Sequence, residues 1–180
     1  CTLTAAAMML RRRAYLDDFQ KTATGEYVYT GQLHYYETGS IPRRKALLWL
    51  WLMTGAMAAA QVLSGCVPAA GMSNTFYVLL PYAGGLLSVA SVVWLMCRLA
   101  AGGDPLRHYV YTGTVAQMRV RGYLVLIFSA LTLAGEAVFL ILHGVGTVLA
   151  GTIVFLVCQM ICLGAALAWK SFVKKLSWSN

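Results

Sequence analysis

At 180 residues the chain has the length of one domain, and a composition 59% hydrophobic and 11% charged lies far from the soluble average. The formal net charge of +8 would suit nucleic acid, but its distribution argues against that partner. The basic residues collect at the ends of apolar stretches, where anionic headgroups lie, and no basic stripe interleaved with aromatics occurs elsewhere.

In chain order, residues 1–45 form a polar, basic N-terminal segment. Within it, 8–20 reads as a short amphipathic helix with Arg11, Arg12 and Arg13 facing lipid phosphates and Asp17 and Asp18 facing water. The pentapeptide Tyr27-Val28-Tyr29-Thr30-Gly31 follows. With Leu33, Tyr35 and Tyr36 it has the period of two and the aromatic, β-branched content of a strand. Residues 46–97 then form a first hairpin, whose apolar stretches 46–65 and 76–97 flank the uncharged connection 66–75. A loop, 98–121, carries a second copy of the pentapeptide, Tyr109-Val110-Tyr111-Thr112-Gly113. The second hairpin, 122–169, joins the stretches 123–142 and 145–168 by a turn around His143, and 170–180 is a basic tail. Each stretch has about twenty residues or a little more, the length at which a helix crosses about 30 Å of hydrocarbon.

All 14 Lys and Arg residues fall on one side of these stretches. Short loops rich in Lys and Arg stay in the cytoplasm, which predicts a multi-pass cell-membrane protein with both termini and the central loop inside. Trp49, Trp51, Trp94 and Trp169 near the basic helix ends, and Tyr77 and Tyr82 near the other ends, fit aromatic belts. The fold class expected is all-α transmembrane: a four-helix polytopic protein of two tandem, same-orientation helical hairpins, each preceded by a short cytoplasmic aromatic segment with strand character.

The repeated pentapeptide points to duplication. After each copy come a polar stretch, a basic cluster (Arg43, Arg44 and Lys45; Arg119 and Arg121) and a helical pair, and Leu52-Met53-Thr54-Gly55 is echoed by Leu131-Thr132-Leu133-Ala134-Gly135. Two helices per unit give both units one orientation, so a pseudo-two-fold along the membrane normal is expected. Tyr27, Tyr29, Tyr109 and Tyr111 read either as two cytoplasmic strands, one per repeat, forming a platform that binds a partner or self-associates by edge pairing, or as tyrosines lying at headgroup level.

Within the membrane Glu136 is the sharpest residue, because a carboxyl there costs roughly 3 kcal/mol to insert and faces a protein interior or a wet cavity. It is placed about a third of the way in from the cytoplasmic end of its span. It reads as a proton or cation site, or as a group hydrogen-bonded to Gln61, Ser88 or Ser91. His143, two turns on, could extend it into a relay. His34 and His108 have no ligand spacing and read as solvated. Cys158 and Cys162 share a face, but without a CxxC pair they read as small apolar groups. Gly84, Ser88 and Ser91 in the second span, and Gly164 and Ala168 in the fourth, form small-residue faces for packing within the bundle or between subunits. No dinucleotide fingerprint, phosphate loop, zinc-protease motif or nucleophile elbow occurs, so neither catalysis nor a cofactor or metal is expected. Three functions are open at this point. The chain is a non-enzymatic scaffold or accessory subunit working beside other membrane subunits or as a homo-oligomer in the bilayer, a small transporter or channel-like unit using Glu136, or, lowest ranked, a membrane enzyme acting on lipid or quinone.

Overall fold

The computed structural model describes residues 19–21, 27–29, 31–37, 41–103, 105–144, 148–176 and 178–179. Four helices are long and apolar enough to cross a membrane. They are α1 (Arg43–Cys66), α3 (Phe76–Ala101), α5 (Val115–His143) and α6 (Leu149–Val173), with short helices α2 (Ala70–Asn74) and α4 (His108–Gly113) in the connections before α3 and α5. At the basic end the helices outrun the apolar stretches, since a continuing helix bonds its own backbone while long basic side chains reach the interface. Pro42, fixed at φ −65°, sits at the N-cap of α1, and its carbonyl accepts the Ala46 N–H at 3.0 Å. Gly144, at φ 74°, ends α5 in a conformation that side chains resist.

The buried residues of each long helix alternate in steps of three and four. In α1 they include Leu50, Thr54, Met57, Gln61 and Ser64; in α5, Met118, Gly122, Val125, Ser129, Thr132, Glu136 and Phe139. In α3 the seam contains Val78, Tyr82, Gly85, Val89, Val92 and Met96, and in α6 Thr152, Phe155, Gln159, Cys162, Ala166 and Trp169. That spacing is the seam of a left-handed bundle. Neighbours run in a ring, α1–α3–α5–α6 and back to α1, with the widest packing between α1 and α6 and between α3 and α5. The strongest contacts therefore join the two chain halves rather than the two helices of either hairpin.

The core changes character along the membrane normal. Toward the basic end it is apolar, built from Leu50, Val92, Leu95, Leu99, Val125 and Trp169 among others. Toward the uncharged end it holds Gln61, Ser64, Thr132, Glu136, Thr152 and Gln159. Pro81 denies the Tyr77 carbonyl its usual helical donor. Gly135 lies against that carbonyl, where an added Cβ would sit 3.0 Å from the oxygen, so its bare backbone lets α5 approach closely.

The chain also forms two small sheets. β1 (Phe19–Lys21) pairs antiparallel with β2 (Tyr27–Tyr29), placing Phe19 opposite Tyr29. β3 (Leu33–Tyr36) pairs with β4 (Leu106–Arg107) through Leu33 and His34, and with β5 (Trp178–Ser179) through Tyr35 and Tyr36. Two expectations change here. Phe19 and Gln20, assigned to a helix over 8–20, belong to a strand because a local hairpin completes their backbone bonding; the rest of that helix lies outside the described residues. Tyr27–Tyr29 of the first pentapeptide form a strand, and it pairs with β1. The second copy is helical, with the Thr112 hydroxyl bonded back to the His108 carbonyl at 3.1 Å. Five residues of strand propensity yield to a turn of helix packed on α5.

Candidate functional site

The polar half of the core is built around the connection between α1 and α3. Residues Ala69, Ala70 and Gly71 are buried, so the connection folds down into the uncharged mouth of the bundle instead of lying on it. The first backbone N–H groups of α2 have no partners within their own turn and must find them elsewhere. The Ala70 N–H donates to Thr152 Oγ1 at 3.2 Å, and the Gly71 N–H donates to Glu136 Oε1 at 3.1 Å. The Met72 N–H is directed at the same carboxyl. A Cβ at Gly71 would collide with the Glu136 carboxyl, so glycine is what permits this approach. Glu136 is 0% exposed, and its Oε2 has no hydrogen-bond partner among the described residues.

One layer deeper, Gln159 Nε2 donates to Ser64 Oγ at 3.0 Å and approaches Gln61 Oε1 at 3.4 Å. Gln61 Nε2 donates to the Tyr82 carbonyl at 3.2 Å, and the Tyr82 hydroxyl returns a bond to the Gln61 carbonyl at 2.8 Å. These bonds tie α1, α3 and α6 together. Gln159 Oε1 is left without a partner among the described residues.

The residues singled out in the sequence do not converge. Glu136 lies seven residues before His143, the last residue of α5, and so near the uncharged end rather than a third of the way in from the basic end. Its partner is backbone at Gly71, not Gln61, Ser88 or Ser91; the two serines bond the carbonyls of Gly84 and Ser88 in their own helix. His143 is exposed and stacks on Phe139 at 4.8 Å, with no bond to Glu136. Gly84 packs against Phe128, whose ring atoms would stand 2.5–2.9 Å from an added Cβ. Gly164 and Ala168 are exposed on the outside of α6, with open space where a Gly164 side chain would project. Cys158 and Cys162 are buried, and the Ser129 hydroxyl donates to Cys162 Sγ at 3.5 Å. No group of three or more metal-ligating side chains occurs among the described residues.

A second cluster, at the basic end, was not anticipated. His34 is 5% exposed, its Nε2 lies 2.9 Å from His108 Nδ1, and its ring stacks on Tyr111 with centroids 4.0 Å apart. One ring nitrogen donates to the other across this contact, so at least one of the two imidazoles is neutral. Burial, and secondarily the neighbouring His108, hold His34 below the ordinary imidazole value of 6.5. Tyr111 also meets Trp178 edge-on, and Trp178 meets Tyr36, whose hydroxyl donates to the Ile41 carbonyl at 2.9 Å. Of the tyrosines proposed for interaction, Tyr111 is thus committed to this internal stack, and the side chains of Tyr27 and Tyr29 lie outside what the structure describes. A sequence signal existed: both histidines open a His-Tyr-x-x-Thr-Gly hexapeptide, at 34–39 and 108–113.

Comparison of the chain with protein-family models, with curated proteins and with solved structures finds no match. The functional reading therefore rests on four helices compatible with a multi-pass membrane protein and on the chemistry of their interior.

Proposed function

We propose that the chain is a non-enzymatic membrane scaffold or accessory subunit that works by lateral association of its spans, with other membrane subunits or with copies of itself. Both termini and the loop between the hairpins lie in the cytoplasm, as the one-sided distribution of 14 basic residues implies. The carrying observation is how the polar interior is used: Glu136 and Thr152 fasten the α1–α3 connection, and the two glutamines cross-link spans. Meanwhile the small-residue face at Gly164 and Ala168 points away from the bundle, where another helix could approach closely. The recurring hexapeptides support a duplicated origin, and their leading residues, His34 and His108, meet at 2.9 Å. Purification in mild detergent, with partner identification and mass measurement, tests the reading. An assembly that Gly164→Ile and Ala168→Ile disrupt supports it; a monomer without partners in the parent protein overturns it.

The second reading is a small transporter or channel-like unit in which Glu136 handles a proton or cation. Two buried acceptors without partners among the described residues, Glu136 Oε2 and Gln159 Oε1, favour it. Flux across reconstituted vesicles that Glu136→Gln abolishes would establish it, and absence of flux in the parent protein would eliminate it.

A further inference from the structure

We propose that the connection between α1 and α3 is a lid over the polar layer of the bundle: it lifts while the spans stay packed, and so gives water and small aqueous solutes a path from the uncharged end to Glu136. The inference rests on the second reading above, for which it supplies the gate. The connection has the build of a moving part. Val67, at φ −106° and ψ 142°, ends α1 in extended backbone, and Thr75, at φ −139° and ψ 134°, separates α2 from α3 in the same way. Between these two joints the turn is stiffened from within, because the Gly71 carbonyl accepts both the Thr75 N–H at 3.0 Å and the Thr75 hydroxyl at 2.8 Å. Its seat is formed by both helices of the second hairpin. Glu136 on α5 accepts from the Gly71 N–H, and Thr152 on α6 accepts from the Ala70 N–H. Gly151 on α6 lies against Pro68, where an added Cβ would stand 3.0 Å from the carbonyl carbon. Ala69 completes the closure by packing with Val78, Tyr82 and Phe155.

The spans do not depend on that seat. Gln159 bonds Ser64 between α6 and α1, Gln61 and Tyr82 bond each other between α1 and α3, and the apolar half of the core joins all four helices. Lifting the lid therefore breaks its own bonds and exposes its own buried surface but leaves the rest of the bundle in place. That is the condition for local opening at a free energy well below that of global unfolding. The layer beneath has bonding capacity to spare. Glu136 Oε2 and Gln159 Oε1 are buried acceptors without partners among the described residues, and water or an ion meets such groups in a polar interior.

The test follows labelling of single cysteines by a charged methanethiosulfonate in the full chain reconstituted in bicelles, each rate taken relative to that of the unfolded chain. Thr132→Cys places a thiol one turn from Glu136 toward the basic end, at a residue 0% exposed whose hydroxyl bonds the Phe128 carbonyl of its own helix. Native Cys162, 0% exposed in the apolar half of the core, is the control that reacts through global unfolding. Thr132→Cys should react faster than Cys162, and adding Glu136→Leu should speed it roughly thirtyfold, the effect of stripping a buried donor of its acceptor. Gly71→Val, which keeps both acceptors but crowds the carboxyl, should act in the same direction. Gly122→Val crowds Trp169 far from the lid and should speed Cys162 while leaving Thr132→Cys unchanged. Equal rates for the two thiols in the parent overturn the proposal, as does a Thr132→Cys rate that neither lid variant raises, or one that rises with Gly122→Val as much as Cys162 does. A circular-dichroism melt reports folding of each variant, and if one lid variant is unfolded the other decides. Flux is read separately: lid opening without flux defeats the transport reading alone, and flux with an unreactive Thr132→Cys thiol defeats the lid alone.

Discussion

Glu136→Leu removes the acceptor used by the Gly71 N–H and leaves that donor buried in the mouth of the bundle. Two magnitudes bear on the outcome. A hydrogen bond between spans is worth only about 0.6 kcal/mol on average, because an opened helix finds other partners within the membrane. A buried donor stripped of its acceptor costs about 1–3 kcal/mol. The second figure governs the leucine variant, which should lose about 2 kcal/mol, or roughly thirtyfold in the unfolding equilibrium. Glu136→Gln keeps an oxygen at the same reach and should lose less than about 1 kcal/mol. Thr152→Val strips the adjacent Ala70 N–H in the same way. Because Ala70 and Gly71 share one turn, the double variant should cost less than the two single losses together: once the turn lifts, both donors reach water. Steric trapping in bicelles gives the stabilities, and hydrogen exchange at the Gly71 amide reports the turn directly. The reasoning is refuted if the leucine variant matches the parent in stability and amide protection, or if glutamine is as damaging as leucine.

Three further outcomes follow from the geometry. His34, held below 6.5 by burial and by His108, favours the closed β3–β4 arrangement in its neutral form. The stability contributed by neutral His34 is therefore full above pH 6.5 and is lost as pH falls from there toward the lowered value; exchange protection of β3 amides should follow that course, and His34→Phe should flatten it. Cys66 is exposed at the uncharged end, Cys97 is exposed at the basic end, and Cys158 and Cys162 are buried. On intact cells a membrane-impermeant maleimide should thus label single-cysteine Cys66 and spare single-cysteine Cys97, and the reverse pattern would invert the assigned orientation. Gly84→Val crowds Phe128 and should lower bundle stability by about 1–3 kcal/mol, whereas Gly164→Val projects into open space and should leave the stability of the monomer unchanged.

The spans were legible because hydrocarbon thickness and charge placement act on whole segments, and 46–65 or 76–97 satisfy both without any tertiary information. The inward face was harder to read. In a membrane the outside is as apolar as the inside, so hydropathy does not point inward. The seam instead follows small and polar groups, such as Ser129, Thr132 and Glu136 at steps of three and four, and Gly164 with Ala168 fell off it. Glu136 was recognised by its rarity, but its partner is a backbone amide 65 residues away, which carries no side-chain signature. The histidine pair was missed because the more conspicuous Tyr-Val-Tyr-Thr-Gly match drew the register of the repeat away from His34. The helix at His108–Gly113 shows tertiary packing overriding the strand propensity of that same sequence.

The three-stranded sheet at the basic end has a consequence for biosynthesis. Its middle strand, β3, precedes every span, one partner follows the second span, and the other follows the fourth. During translation β3 therefore waits with open backbone groups until the whole membrane portion has threaded in the proper sense. A chain with one inverted hairpin could never bring all three strands to the same face of the bilayer. Closure of this small clasp thus requires the chain before the first span, between the hairpins and after the fourth span to end on one side.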